Sequence, residues 1–231
     1  MPRISLSLGL LTLILLSAGC MTPAINDEAR VGPFFHPKNV VSDLTLGGVR
    51  RVVLLPVWGG QGVPEESAAS LDPVFRQALQ DQNRFEIVAP SRQEFLSRFG
   101  AEALSSTAAL PHDFMSTLKR VYGADAVMFV DITVYRPYPP LALGIRGKLA
   151  TVNAPHLIWA FDNVYSADNP EVAAGARHYF LHSGNQDVPG DLTPAILQSP
   201  SRFATYASHS AFATLPPVVL PALTHASDAR N

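Results

Sequence analysis

The chain is poor in cysteine and in charge, and it lacks the short glycine, serine and histidine signatures that mark common enzymes. One cysteine in 231 residues leaves no internal disulfide to form. Charged residues make up 16%, with 17 Lys and Arg against 19 Asp and Glu and a net charge of −2. That balance offers no broad field for a polyanion, so nucleic acid is not an expected partner. Gly60-Gln61-Gly62-Val63-Pro64-Glu65 carries two glycines of a dinucleotide fingerprint and a glutamate in place of the third. The missing glycine is the one that lets helix and strand pack closely. Glu65 and Glu66 would repel a pyrophosphate at the helix start, whereas they complement the helix dipole. The run G-x-x-x-x-G-K-[ST] does not occur, and Gly144–Lys148 (GIRGK) lacks its spacing. The stretch therefore reads as a turn, with no nucleotide and no cofactor expected. The sequence also lacks a G-x-S-x-G elbow.

What the chain has in plenty is apolar character, 47% of residues, and twenty prolines. This suffices for one ordinary core, or one core plus tails. Near the start, Arg3 is followed by an apolar run from Leu6 to Leu16, then by Ser17, Ala18 and Gly19, then by Cys20. A run this short with a small-residue end reads as a secretory signal. The alternative is an uncleaved apolar anchor with an incidental cysteine.

The segment from Met21 to Gly48 holds Pro23, Pro33 and Pro37 without a clean period and reads as a tether. Arg51 to Val57 is a continuous apolar strand, the pattern of a strand buried on both faces. Leu71, Val74, Phe75, Ala78 and Leu79 fall on one helix face. That helix starts either at Asp72-Pro73 as N-cap and first residue or near Glu65 with a bend at Pro73. Phe85–Ala89 is a second strand. Ser91 and Glu94 form a capping-box pattern, and Gly100 is a helix stop. A further helix carries Phe114, Met115, Leu118, Val121 and Tyr122 and ends at Gly123. Ala124–Tyr135 is the strongest strand. Leu141–Val152 alternates, as a half-solvated strand does, and His156–Tyr165 pairs with it across an Ala154-Pro155 turn. Asp168-Asn169-Pro170 opens a helix to about His182, and Ser199-Pro200 caps one from Ser201 to Leu215. The order implies an α/β (α+β) domain with a mixed sheet of about five strands and helices packed on it. The expected divisions are a signal at 1–19, acylated cysteine and tether at 20–48, the α/β domain at 49–184, and a Pro-rich, partly helical extension at 185–231.

Candidate functional residues are sparse. His178 and His182 have the H-x-x-x-H spacing of a metal pair, but Tyr179 stands where the zinc-protease motif needs glutamate. A third ligand would have to come from afar, for instance His156 or His209, and catalytic zinc needs three. Asp125, Asp131 and Asp162 lie in or beside strands, where capping or ion pairing is the common role of an acid. Trp159, Phe161 and Tyr165 alternate onto one strand face, and Tyr138 lies in a proline-rich turn. Such aromatics are usually core. Where exposed, they and Trp58 are the candidates for binding a partner.

The Ser17-Ala18-Gly19-Cys20 junction resembles the lipobox of bacterial lipoproteins, with Ser17 in a place that usually holds an aliphatic residue. The resemblance implies acylation of Cys20 and insertion into a bilayer. Met21, not Asp, follows the cysteine, which implies the outer membrane with the domain on its periplasmic face. RVVLLPV, the Leu71–Leu79 helix, RFEIVAP, SRQEF and LKRVYGADAVMFVDITVY together resemble envelope lipoproteins with a domain like the amino-terminal one of TolB. That group includes the penicillin-binding-protein activator and curli-secretion lipoproteins. The resemblance spans about Arg50 to Tyr165 and implies a non-enzymatic accessory module that binds an envelope protein. Alternatives are a subunit of a ring-like secretion assembly and a periplasmic metal-dependent hydrolase.

Overall fold

The apolar run after Arg51 forms a strand buried on both faces, next to the edge of a sheet, in a computed structural model of the chain, which describes residues 28–154, 156–183 and 193–218. The leader, Cys20 and Pro155 of the hairpin turn lie outside the described residues. In chain order the elements are α1 (Glu28–Val31), β1 (Val40–Ser42), β2 (Arg51–Leu54), β3 (Trp58–Gly59), α2 (Glu65–Gln80), β4 (Glu86–Val88), α3 (Arg92–Phe99), α4 (Phe114–Tyr122), β5 (Ala126–Arg136), β6 (Ala142–Thr151), β7 (Leu157–Ser166), α5 (Pro170–His182) and α6 (Pro200–Phe212), with a 3₁₀ turn at Thr193–Gln198. The fold is α/β, a mixed sheet with helices packed on both faces. Among the described residues no helix is long and apolar enough to cross a membrane.

The sheet has seven strands in the order β1-β7-β6-β5-β2-β4, with β3 also on β5. The two strands beyond the expected five are β1 and β3, of three and two residues, too short to show a period. β4, β2 and β5 run parallel, joined by crossovers through α2 and through α3 and α4. β5, β6, β7 and β1 run antiparallel.

α2 starts at Glu65 and runs through Pro73, so the second of the two possible starts holds. It lays Leu71, Phe75, Ala78 and Leu79 on the sheet, each at most 3% exposed. A side chain of that size contributes about 1.5–3 kcal/mol when fully buried, which outweighs the local cost of the proline's missing N–H. α3 begins as its capping pattern predicts, with Ser91 Oγ accepting from Glu94 N at 3.1 Å. The reciprocal half is absent: the Glu94 carboxylate accepts from Tyr122 Oη at 2.8 Å instead. Gly100 and Gly123 close α3 and α4 at φ of 75° and 63°.

Two apolar layers flank the sheet. One lies under α2, α5 and α6 and includes Val52, Met128, Ile145, Trp159, Phe161 and Tyr165. The other lies under α3 and α4 and includes Val53, Phe95, Phe114, Val127 and Phe129. The core extends past both expected domain boundaries. Phe203, Ala207 and Phe212 of α6 are at most 2% exposed, and Phe212 meets Phe75 edge-on at 6.0 Å. Arg84 ties the end of this segment down by donating to the carbonyls of Leu215 and Pro216. At the other boundary, β1 pairs with β7, Leu46 N donates to Pro217 O at 3.0 Å, and Ala29 is fully buried. From Glu28 onward the expected tether belongs to the folded domain.

Candidate functional site

In open parallel sheets, ligands bind beyond the carboxyl ends of the strands, where crossovers leave in opposite directions. β2 meets that condition, because α2 leaves it on one face and α3 and α4 cross on the other. A crevice of about 350 Å³ lies there, lined by Trp58, Val63, Glu65, Arg92 and Glu102 among others. Arg92, in its wall, is paired with Asp72. Arg92 Nε donates to Asp72 Oδ2 at 2.7 Å, Arg92 Nη2 donates to Val57 O at 2.7 Å, and Asp72 Oδ1 accepts from Val57 N at 2.8 Å. The guanidinium and the carboxylate are both engaged in holding the strand exit.

The glycine stretch has a packing reason. Trp58 and Gly59 prolong the path of β2 as β3, alongside Asp131 and Ile132. Gly60 N then donates to Ile132 O at 2.9 Å, and a Cβ on Gly60 would lie 2.8 Å from that same oxygen. The glycine permits close approach to β5, and Gly62 turns the chain at φ 79°.

Beside β3 sits Asp131, fully buried. Its carboxylate accepts from Ser105 Oγ, Ser106 N and Ser106 Oγ, each at 2.9 Å. Lys148 Nζ donates to Ser106 O at 2.8 Å. The group fastens the loop between α3 and α4 to β5, because a buried carboxylate without donors would cost several kcal/mol. Its trace in the sequence is one acid inside the apolar strand VMFVDITVY. Ser105 and Ser106 carry no comparable mark in the sequence.

The three strand acids have separate partners. Asp162 accepts from Arg146 Nε at 2.8 Å. Asp125 accepts from the backbone N–H groups of Arg50 and Arg51 at 3.1 Å and from Lys119 Nζ at 3.2 Å. Partial burial pushes the Asp125 carboxyl upward, but those donors and the ammonium together hold it below the usual carboxylate range.

The aromatic candidates divide. Trp159, Phe161 and Tyr165 are at most 2% exposed and belong to the core, so a partner cannot reach them in the folded chain. Their strand face is covered by α5 and α6, and Trp159 Nε1 donates to Thr214 Oγ1 at 3.0 Å. Trp159 also lies over Gly147, where a Cβ would sit 2.5 Å from the indole. Tyr138 is 78% exposed, and Trp58 is half-buried at the crevice.

His178 and His182 do come together, with ring centroids 4.1 Å apart. Their Nδ1 atoms face carbonyls, His178 toward Ala29 O at 3.0 Å and His182 toward His178 O at 2.9 Å. Each Nδ1 therefore carries the proton and donates. The two possible third ligands are engaged elsewhere: His156 with Asp43 at 2.7 Å and His209 with Asp81 at 3.0 Å. Among the described residues no group of three or more His, Cys, Asp or Glu could hold a metal. His178 instead lines a groove of about 320 Å³ with Phe34, Phe35, Gly175, Tyr179 and Tyr206. Nothing in the sequence marks that groove, because its walls come from four segments far apart in the chain.

No protein-family model and no curated protein sequence matches the chain. Solved structures similar to it include the PelC dodecamer from Paraburkholderia phytofirmans, at 11% identity over 58% of this chain and 86% of that one, with a TM-score of 0.39. Lipoprotein GNA1162 from Neisseria meningitidis is similar at 13% identity over 52% and 85%, with a TM-score of 0.40. The LpoB C-terminal domain from Escherichia coli is similar at 20% identity over 53% and 86%, with a TM-score of 0.35. One of these structures, GNA1162, is itself a lipoprotein. At these scores the likeness is loose, and neither ligand nor partner passes from them to this chain.

Proposed function

We propose that the chain is an outer-membrane lipoprotein, held by acylated Cys20 at the periplasmic face, whose α/β domain serves an envelope complex as a binding or accessory module without catalysis. One observation carries this reading: the only cysteine follows an apolar, small-residue leader, and a packed domain begins eight positions later at Glu28. Two or more acyl chains give stable anchoring, since each buried CH₂ contributes about 0.8 kcal/mol. The accessory reading is supported by the use to which the polar groups are put. Asp72, Arg92, Asp125, Asp131 and Asp162 are each engaged in holding one segment to another. Trp58 and Tyr138 supply aromatic surface suited to a protein partner.

Labelling of growing cells with a palmitate analogue tests the anchor. The wild-type chain incorporates label and Cys20→Ala does not; incorporation by Cys20→Ala would defeat the lipoprotein reading. Photo-crosslinking from position 138 in intact envelopes tests the module. A discrete adduct that disappears when Trp58 is changed to Ala supports a partner surface, and the absence of any adduct counts against it.

A further inference from the structure

We propose that the face built by α1, residues 32–38 and α5 lies against the bilayer that holds Cys20. This deepens the lipoprotein reading and rests on it. Seven residues, 21–27, separate Cys20 from Glu28. Even fully extended, the eight Cα steps between these two residues reach at most about 29 Å. A domain of this length has a radius of gyration of about 16 Å and is about 40 Å across. The leash is shorter than the domain is wide, so α1 cannot form the pole farthest from the membrane.

The leash cannot lengthen by unravelling α1 without breaking packed contacts. Ala29 is fully buried, and its carbonyl meets His178 Nδ1 at 3.0 Å. The Phe34 ring lies 4.2 Å from the His178 ring, and Phe35 N donates to Glu171 O at 3.1 Å. The segment is thus a strap bound across α5, and it fixes which side of the domain the anchor leaves from.

That side has the composition a headgroup–acyl boundary accepts. Val31 is 65% exposed and Pro33 is exposed. The aromatic groove opens beside them, with Phe34 and His178 in its wall. Arg30 and Lys38 are exposed cations on the same strap, Glu28 is its exposed acid, and Glu171 is exposed at the start of α5. Apolar carbon at the level of interspersed charge suits interfacial contact more than deep insertion. α3, with Leu96 43% exposed, packs on the opposite face of the sheet and therefore looks into the periplasm.

The test uses the full-length acylated chain. Because Cys20 is consumed by lipid, a cysteine introduced elsewhere is the only free thiol. Val31→Cys and Leu96→Cys, each labelled with bimane, are reconstituted in phosphatidylethanolamine and phosphatidylglycerol vesicles containing a headgroup-spin-labelled lipid. Quenching is expected to be roughly threefold or more stronger at position 31 than at 96. Equal quenching, or stronger quenching at 96, overturns the orientation. The intact mass of the same sample separates the two readings. An acylated protein with equal quenching fails only the orientation, whereas a protein without acyl chains fails the lipoprotein reading and the orientation with it.

Discussion

On one side of β5 the strands run parallel and carry helices on both faces; on the other side they run antiparallel, and among the described residues helices cover only one face. β2 is apolar at every position after Arg51, and each of Val52, Val53 and Leu54 is at most 3% exposed. β6 and β7 alternate instead. Leu143, Ile145, Leu149, Trp159 and Phe161 point into the core, while Arg146, Lys148, Asp162 and Val164 stand on the other face. The difference arises from the connections. Parallel neighbours need crossovers, and their helices have to lie on the sheet, whereas hairpins bring no cover with them. One molecule thus holds a doubly covered half and a half with an open face marked by Val41, Val134 and Val164, which are 39–70% exposed.

That contrast can be broken along a single strand. Trp159→Ala removes the largest side chain of the covered face and is expected to cost about 3–5 kcal/mol in urea unfolding. Val164→Ala, on the open face of the same β7, is expected to change stability by less than about 0.5 kcal/mol. Similar losses from the two would show that the open face is covered in solution. A second, smaller effect concerns the polar device that ties the helical cover to the sheet. Asp131→Ala leaves the Ser105 and Ser106 donors without their acceptor and is expected to cost about 1–3 kcal/mol. Hydrogen exchange should quicken in residues 101–113 and stay unchanged in α6; uniform acceleration would mean that the pin is not local. The smallest effect is electrostatic. Because the folded state holds the Asp125 carboxyl below its ordinary range, its contribution is present above the unfolded carboxylate pKa of about 4 and is lost as pH falls through the lower folded value. Asp125→Asn should therefore flatten the fall of the urea midpoint in that acid window, by an amount below about 1 kcal/mol. An unchanged slope would remove Asp125 from the account of acid sensitivity.

Much of this architecture was legible because hydrophobic period reports burial. The continuous run at 51–57, the alternation at 141–152, the Leu71–Leu79 stripe and the stops at Gly100 and Gly123 all reflect forces acting within a few residues. What escaped depends on partners far along the chain. Val40–Ser42 is a strand only because β7 offers it an edge. Trp58 and Gly59 are a strand only because Gly60 can approach Ile132 closely. The helix after Ser199 could be read from its cap, but its burial required Trp159 and Phe75 on the other side. The site was less legible still. Asp131 showed itself as a lone acid in an apolar strand, whereas the Asp72–Arg92 pair and the Phe34 groove have no local signature.

The placement of α6 bears on the order of events in folding. Its aromatic side chains seal the layer over α2 and β7, and residues 214–217 bond to Trp159, Arg84 and Leu46. Contacts between such distant parts of a chain form slowly, since a large loop has to close before they can be made. The core thus stays unsealed until the last part of the described chain is at hand. On the proposed export route, the layer over α2 and β7 can be sealed only after α6, the last helix of the described chain, has crossed as well.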